Sequence, residues 1–370
     1  MSLTRRQFVQ VAGASFLLRE QLLQAQQAPV VNPPAPRFAT GSSRVALVSG
    51  DDRRKNVTQA MLAIDDDIKA GLQNKKYVVI KPNNVSTSIQ LAATNAEALH
   101  GILDYLEPRF RGPIMIAESG GNSAADTLQG FENFKYNQVA SEHRAQKVSL
   151  VDLNREGKYV LLPVLDLDFH IQPVRLTARV LDPDAYVISS AMLKTHNVVV
   201  ATMSVKNLVM GSPLKSPPGD PNPFNDKRLM HPAVRQAHAN MLLVAQKLQP
   251  NWGMAVIDGF EGMEGDGPSN GTMVPSHIAI ASTDLVAADR VGLEAMSINP
   301  DWVGYLSFAG RMGLGQYDLS KIEIVGPAIA TVQRQYKLHD AIQRQLQWMG
   351  PMPDSTRQVS SMPQLHDDLH

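Results

Sequence analysis

Short apolar runs rich in β-branched residues alternate along this chain with stretches of helical spacing. The runs at 44–48, 76–80, 113–117, 147–151, 185–189, 254–257, 277–281 and 322–325 predict strands. Between the first two, Val57, Ala60, Met61, Ile64 and Ile68 recur at helical spacing and predict a helix over 56–70. Further helices are predicted over 96–106 behind an Asn95 cap, over 232–248, and over 285–296 behind an Asp284 cap. The strands are apolar throughout instead of alternating, so both faces of their sheet should be covered. The expected fold is α/β: a layered, largely parallel (mixed) β-sheet with helices on both faces. Residues 152–180 break the rhythm with short, proline-punctuated pieces and predict a small β-rich insertion. The α/β domain is placed at 44–330, followed by a C-terminal helix and extended tail over 331–370.

Composition narrows the chemistry. Lys+Arg and Asp+Glu each number 35 in 370 residues, so no net charge favours nucleic acid as a partner. Cysteine is absent. That removes disulfides, a cysteine nucleophile, thiolate zinc sites and any iron–sulfur cluster bound by this chain. Oxygen and nitrogen ligands remain, which leaves room for a divalent metal.

The amino terminus reads as an address. Arg5-Arg6 precedes an apolar run from Val9 to Leu18 and then small and Gln-rich residues. This predicts a twin-arginine signal peptide over 1–28 and a linker over 29–43. The run is about half of the roughly 20 residues that span a bilayer, so no permanent transmembrane helix is expected. The expected partner during export is the twin-arginine translocase, and the expected location is periplasmic or extracytoplasmic. Signals of this type generally carry folded proteins, which raises the expectation of a bound cofactor without identifying it.

In parallel sheets, ligands sit beyond the carboxyl ends of the strands. Polar groups crowd those positions here. Lys81-Pro82-Asn83 follows 76–80, Glu118-Ser119-Gly120-Gly121 follows 113–117, and Lys194-Thr195-His196 lies beyond 185–189. Lysine is a compact point charge suited to carboxylate or phosphate, and Gly120-Gly121 offers backbone N–H donors for an anion. Lys206, Asn207, Lys215 and His231 extend the set. Asp258, Glu261, Glu264 and Asp266 are interleaved with glycines after the run at 254–257. Such a loop can gather its carboxylates around a divalent cation, or pair them with the lysines instead. No P-loop, G-x-S-x-G elbow or H-E-x-x-H is present.

The ordered series Lys81-Pro82-Asn83, Lys194-Thr195-His196, Lys206-Asn207 with Gly211 and Pro213, Lys215, His231, Asp258-Gly259 with Gly262-Met263-Glu264-Gly265 and Gly267-Pro268, and Asp284 with Asp289 resembles the bacterial and archaeal family called domain of unknown function 362. Gly313-Leu314-Gly315 and the strand at 322–325 fit as well, so the resemblance covers roughly 44–326. It implies an α/β fold and no particular reaction. Many relatives carry ferredoxin-like cysteine motifs, which this chain lacks.

The functional expectation is an exported enzyme acting on a small anionic ligand, a carboxylate or a phosphorylated compound. Lys194 and His196 are the catalytic candidates, His196 as general acid/base because its ordinary pKa lies near neutrality. Lys81, Asn83, Lys206, Asn207, Lys215 and His231 would bind the substrate. Asp258, Glu261, Glu264 and Asp266 would bind metal. The reaction is expected to be proton transfer next to a carboxylate or metal-assisted hydrolysis. A non-catalytic periplasmic anion- or cofactor-binding protein is the alternative.

Overall fold

The computed structural model describes residues 41–121 and 126–350. The expected signal peptide, most of the expected linker and the tail after 350 lie outside the described residues. Eleven strands are described: β1 (Ser43–Ser49), β2 (Tyr77–Lys81), β3 (Ile114–Glu118), β4 (Val148–Asp152), β5 (Tyr159–Leu165), β6 (Ile171–Thr177), β7 (Ala185–His196), β8 (Val200–Thr202), β9 (Trp252–Glu264), β10 (Thr272–Ser282) and β11 (Ile322–Val325). Nine of them form one sheet in the order β11-β1-β10-β9-β7-β2-β3-β4, with β8 paired to β7. Within it only β10 and β8 run antiparallel to their neighbours. The α/β expectation therefore holds, and β5–β6 is a separate antiparallel hairpin where the β-rich insertion was expected.

Each face of the sheet buries its own apolar layer. One layer is built under α1 (Arg53–Ala63), α2 (Asp65–Leu72), α3 (Ala96–Leu106), α4 (Thr127–Asn133) and α5 (Tyr136–Glu142). The other lies under α6 (Ser204–Gly211), α8 (Val234–Leu248), α9 (Leu285–Ala295) and α10 (Gly304–Arg311); the single turn α7 (Asp226–Leu229) precedes α8. The single helix expected over 56–70 is two. Ile64 leaves helical geometry (φ −124°, ψ 33°), and Asp65, Asp66 and Asp67 start α2, where carboxylates complement the amino-terminal dipole. The Asn95 and Asp284 side chains accept N–H bonds from Glu97 and Ala287, capping α3 and α9 as expected.

Two strands outrun their expected ends. β7 continues to His196 with every residue buried, and β9 continues to Glu264. No described helix is long and apolar enough to cross a membrane.

Candidate functional site

From β2 the chain crosses through α3 to β3, whereas from β7 it crosses through α6 and α8 to β9, on the other face. Strand order therefore reverses between the adjacent strands β2 and β7, the place where open α/β sheets leave a crevice. A cavity of about 590 Å³ opens there. Lys81, Glu118 and His196, the last residues of β2, β3 and β7, line it. Lys206 and Asn207 enter from α6, and Lys227, Arg228 and His231 come from α7 and the residues after it. Asp289 on α9 anchors the start of α6 by accepting N–H bonds from Ser204 (2.8 Å) and Val205 (2.9 Å).

At the floor, Lys81 Nζ donates to Glu118 Oε2 (2.8 Å), the Pro82 carbonyl (2.8 Å) and Asn207 Oδ1 (3.1 Å). Glu118 also accepts from the N–H groups of Asn84 and Ser119. Asn207 Nδ2 donates to the Lys81 carbonyl and Ser189 Oγ, which ties α6 to β2 and β7. Gly211 is required at the contact, because a Cβ there would lie inside the Lys81 side chain. Burial pushes the Lys81 ammonium below its usual pKa, against the attraction of Glu118.

The two imidazoles differ in their partners. His196 Nδ1 accepts N–H bonds from Val198 (3.0 Å) and Val199 (3.3 Å), so its ring proton sits on Nε2. The buried Nε2 of His231 has no hydrogen-bond partner among the described residues. The rings lie 5.9 Å apart, 17° from parallel. Burial, reinforced by Lys206, pushes His196 well below the usual histidine pKa and His231 down to about 3. Both rings are neutral at neutral pH.

Of the expected ligand-binding set, Lys81, Asn83, Lys206, Asn207 and His231 line the cavity together with His196. Lys194 does not line it. Its ammonium is buried beside it, donating to Asn83 Oδ1 (2.6 Å) and the Ala92 carbonyl (3.2 Å), and so orients Asn83. The expectation that Lys194 is catalytic is corrected to a positioning role, because its ammonium lies off the cavity and two of its three donors are taken by Asn83 and Ala92. Lys215 is also off the lining, its ammonium lying against Gly120. The amides of Ser119 and Gly121 are engaged by Glu118 Oε1 and the Asn84 carbonyl, so this turn offers neither to an anion.

The four carboxylates are not gathered. Asp258, Glu261 and Glu264 lie along β9, where a rise of about 3.3 Å per residue spreads them over roughly 20 Å. Arg53 bonds Asp258 (3.1 Å) and Glu261 (2.6 Å), Glu264 accepts the Lys337 N–H (2.7 Å), and Asp266 accepts the Asp340 N–H (3.3 Å). No group of three His, Asp or Glu among the described residues is placed to hold a metal. The expected metal site at these positions is thus corrected: pairing with β10 keeps this segment extended where a loop was expected.

The family model described as domain of unknown function (DUF362) matches residues 78–294. This chain belongs to the DUF362 family. The matched span contains all the cavity residues named above. No curated protein matches the chain. A solved structure of a Thermotoga maritima protein is similar at 8% identity and a TM-score of 0.39, covering 61% of this chain and 55% of that one. The chain thus spans about half the length of that protein.

Glu118, Lys227 and Arg228 were missed as site residues in the sequence. Glu118 had a signal, since it follows an apolar strand as Lys81 does. Lys227 and Arg228 had none, because they stand on a short turn far from any strand end.

Proposed function

We propose that this DUF362 protein is an exported enzyme that moves a proton next to the carboxylate of a small anionic substrate. One observation carries the reading: the buried lysines Lys81, Lys206 and Lys227, with the exposed Arg228 beside them, line one cavity in which Glu118 is the carboxylate among the described lining residues. Unbalanced buried positive charge is costly, and an anionic ligand relieves that cost. The cations hold the substrate carboxylate. His231 Nε2 takes the proton from the adjacent carbon, and His196 Nε2–H donates to the oxygen on which charge develops. Burial first and Lys206 second lower the His231 pKa, and a bound anion offsets the Lys206 charge and so raises its basicity. Proton transfer is favoured over metal-assisted hydrolysis because the carboxylates that would bind a hard cation are committed to Arg53 and to backbone amides. The export part of this reading is supported by Arg5-Arg6 and the apolar run from Val9 to Leu18.

The test is deuterium exchange. Lactate, malate, malonate and glyoxylate are titrated into the protein, and those with exchangeable carbon-bound protons are then incubated with it in D₂O. Proton NMR should show enzyme-dependent loss of a carbon-bound proton. His231→Gln should slow this by roughly 10²–10⁴ while leaving affinity nearly unchanged. Binding without exchange would make this protein an anion carrier instead. Absence of binding by any of the four would end the anion reading.

A further inference from the structure

Four lysines surround the cavity floor and wall, and three of them donate to protein acceptors. Lys81 is held by Glu118, Asn207 and the Pro82 carbonyl; Lys194 by Asn83 and the Ala92 carbonyl; Lys227 by Ser119 Oγ (2.6 Å) and the Met210 carbonyl (3.1 Å). Lys206 differs. It lines the cavity and is 6% exposed, yet no acceptor among the described residues takes a hydrogen bond from its Nζ. An ammonium so little exposed gains no protein acceptor in exchange for burial, whereas a neutral amine suffers far less from burial.

We propose that Lys206 is a nucleophilic lysine that forms a Schiff base with a small oxo acid held in this cavity. The inference rests on the anion-site reading and names its substrate class. Burial, followed by the nearby Lys81, pushes the Lys206 pKa down to about 7, so the free amine is well populated at neutral pH. Desolvation beside a second cation is the general route by which lysines become nucleophiles. Arg228, in the positive field of Lys81 and Lys227, takes the carboxylate and leaves the ketone or aldehyde carbon facing Lys206. The Nζ lone pair adds to that carbon, His196 Nε2–H donates a hydrogen bond to the developing oxyanion, and the oxygen becomes a hydroxyl by taking up the proton that the amine loses. A further proton lets the hydroxyl leave as water, and the product is a protonated imine. No oxidant or reductant is consumed. The imine withdraws electrons from the C–H bonds of the neighbouring carbon, and in a 3-oxo acid that carbon also bears the carboxylate, so its proton is the one assigned to His231.

The test treats the full-length protein with glyoxylate and sodium cyanoborohydride, which reduces the imine to a stable secondary amine, followed by intact mass and peptide mapping. At pH 7, Lys206 should label roughly a hundredfold faster than exposed lysines. Its free-amine fraction is about a thousandfold larger than that of a lysine at 10.5, partly offset by lower intrinsic reactivity. Lys206→Arg and Lys206→Met, each checked for folding by circular dichroism, should lose this adduct, and inorganic phosphate should slow it. If glyoxylate or phosphate binds by calorimetry while Lys206 stays unmodified, the nucleophile assignment is overturned and the anion site stands. Equal labelling of the wild type and both variants also overturns it. If neither anion binds, the anion-site reading falls and takes the Schiff base with it.

Discussion

Replacing Glu118 with Gln isolates the one carboxylate among the described cavity-lining residues. The Lys81 and Glu118 side chains are each 2% exposed, and Glu118 Oε2 accepts from both Lys81 Nζ and the Asn84 N–H while Oε1 accepts from the Ser119 N–H. A glutamine has one acceptor oxygen. Turned toward Lys81 and Asn84, it sets its own NH₂ against the Ser119 N–H and loses that bond. The ammonium meanwhile loses its counter-charge in a buried site. Breaking a buried ion pair by removing one partner costs about 3–5 kcal/mol. The upper limit has its own cause: Lys81 can shed its proton, and taking a group of pKa 10.5 to neutral at pH 7 costs about 5 kcal/mol at most. Against a typical stability of about 5–15 kcal/mol, the loss is large but survivable. Urea denaturation at pH 7 of the wild type, Glu118→Gln, Lys81→Met and the double variant measures it. The double variant should be no less stable than Glu118→Gln alone, since it leaves no unpaired charge. The Glu118→Gln deficit should also shrink as pH rises and the lysine no longer needs to be charged. A loss below about 1 kcal/mol, or single losses that simply add, would refute the reasoning.

Three further outcomes are expected. Burial pushes Lys194, Lys206 and Lys227 down to about 7 from 10.5, so between those values the unfolded chain holds protons that the folded one does not. Stability should therefore rise from pH 7 toward pH 10, while affinity for inorganic phosphate falls; melts and calorimetry at pH 7 and 9 showing no opposite trends would count against the buried-lysine account. Arg53→Met should cost about 3 kcal/mol at pH 8 and less at pH 5 by urea denaturation, because burial holds the Asp258 pKa above its usual value and protonation spares the charge; equal losses at both pH values would exclude an Asp258 charge effect. Changing Arg5 and Arg6 to Lys should retain precursor in the cytoplasm by cell fractionation, and normal periplasmic accumulation would remove the export proposal.

Much of the architecture was legible along the chain because burial on both faces of a parallel sheet demands uninterrupted apolar runs. The strand at 322–325 and the helix at 96–106 have the bounds that pattern predicts. Local pattern could not show how far a strand continues once a partner supplies its hydrogen bonds. β7 runs through Lys194, Thr195 and His196 because β8 and β9 pair with it there, and β9 draws out Asp258, Glu261 and Glu264 because β10 pairs along them. The same limit separated true cavity residues from their neighbours. Lys81, Lys194, Lys206 and Lys215 are one residue type with one intrinsic charge, and the sequence by itself determined that cations collect beyond the strand ends. Which of them meets a carboxylate, which is spent on carbonyls, and which faces the cavity unpartnered was decided by tertiary structure. Those outcomes depend on acceptors brought from distant parts of the chain: Glu118 for Lys81, Asn83 and Ala92 for Lys194, and none among the described residues for Lys206.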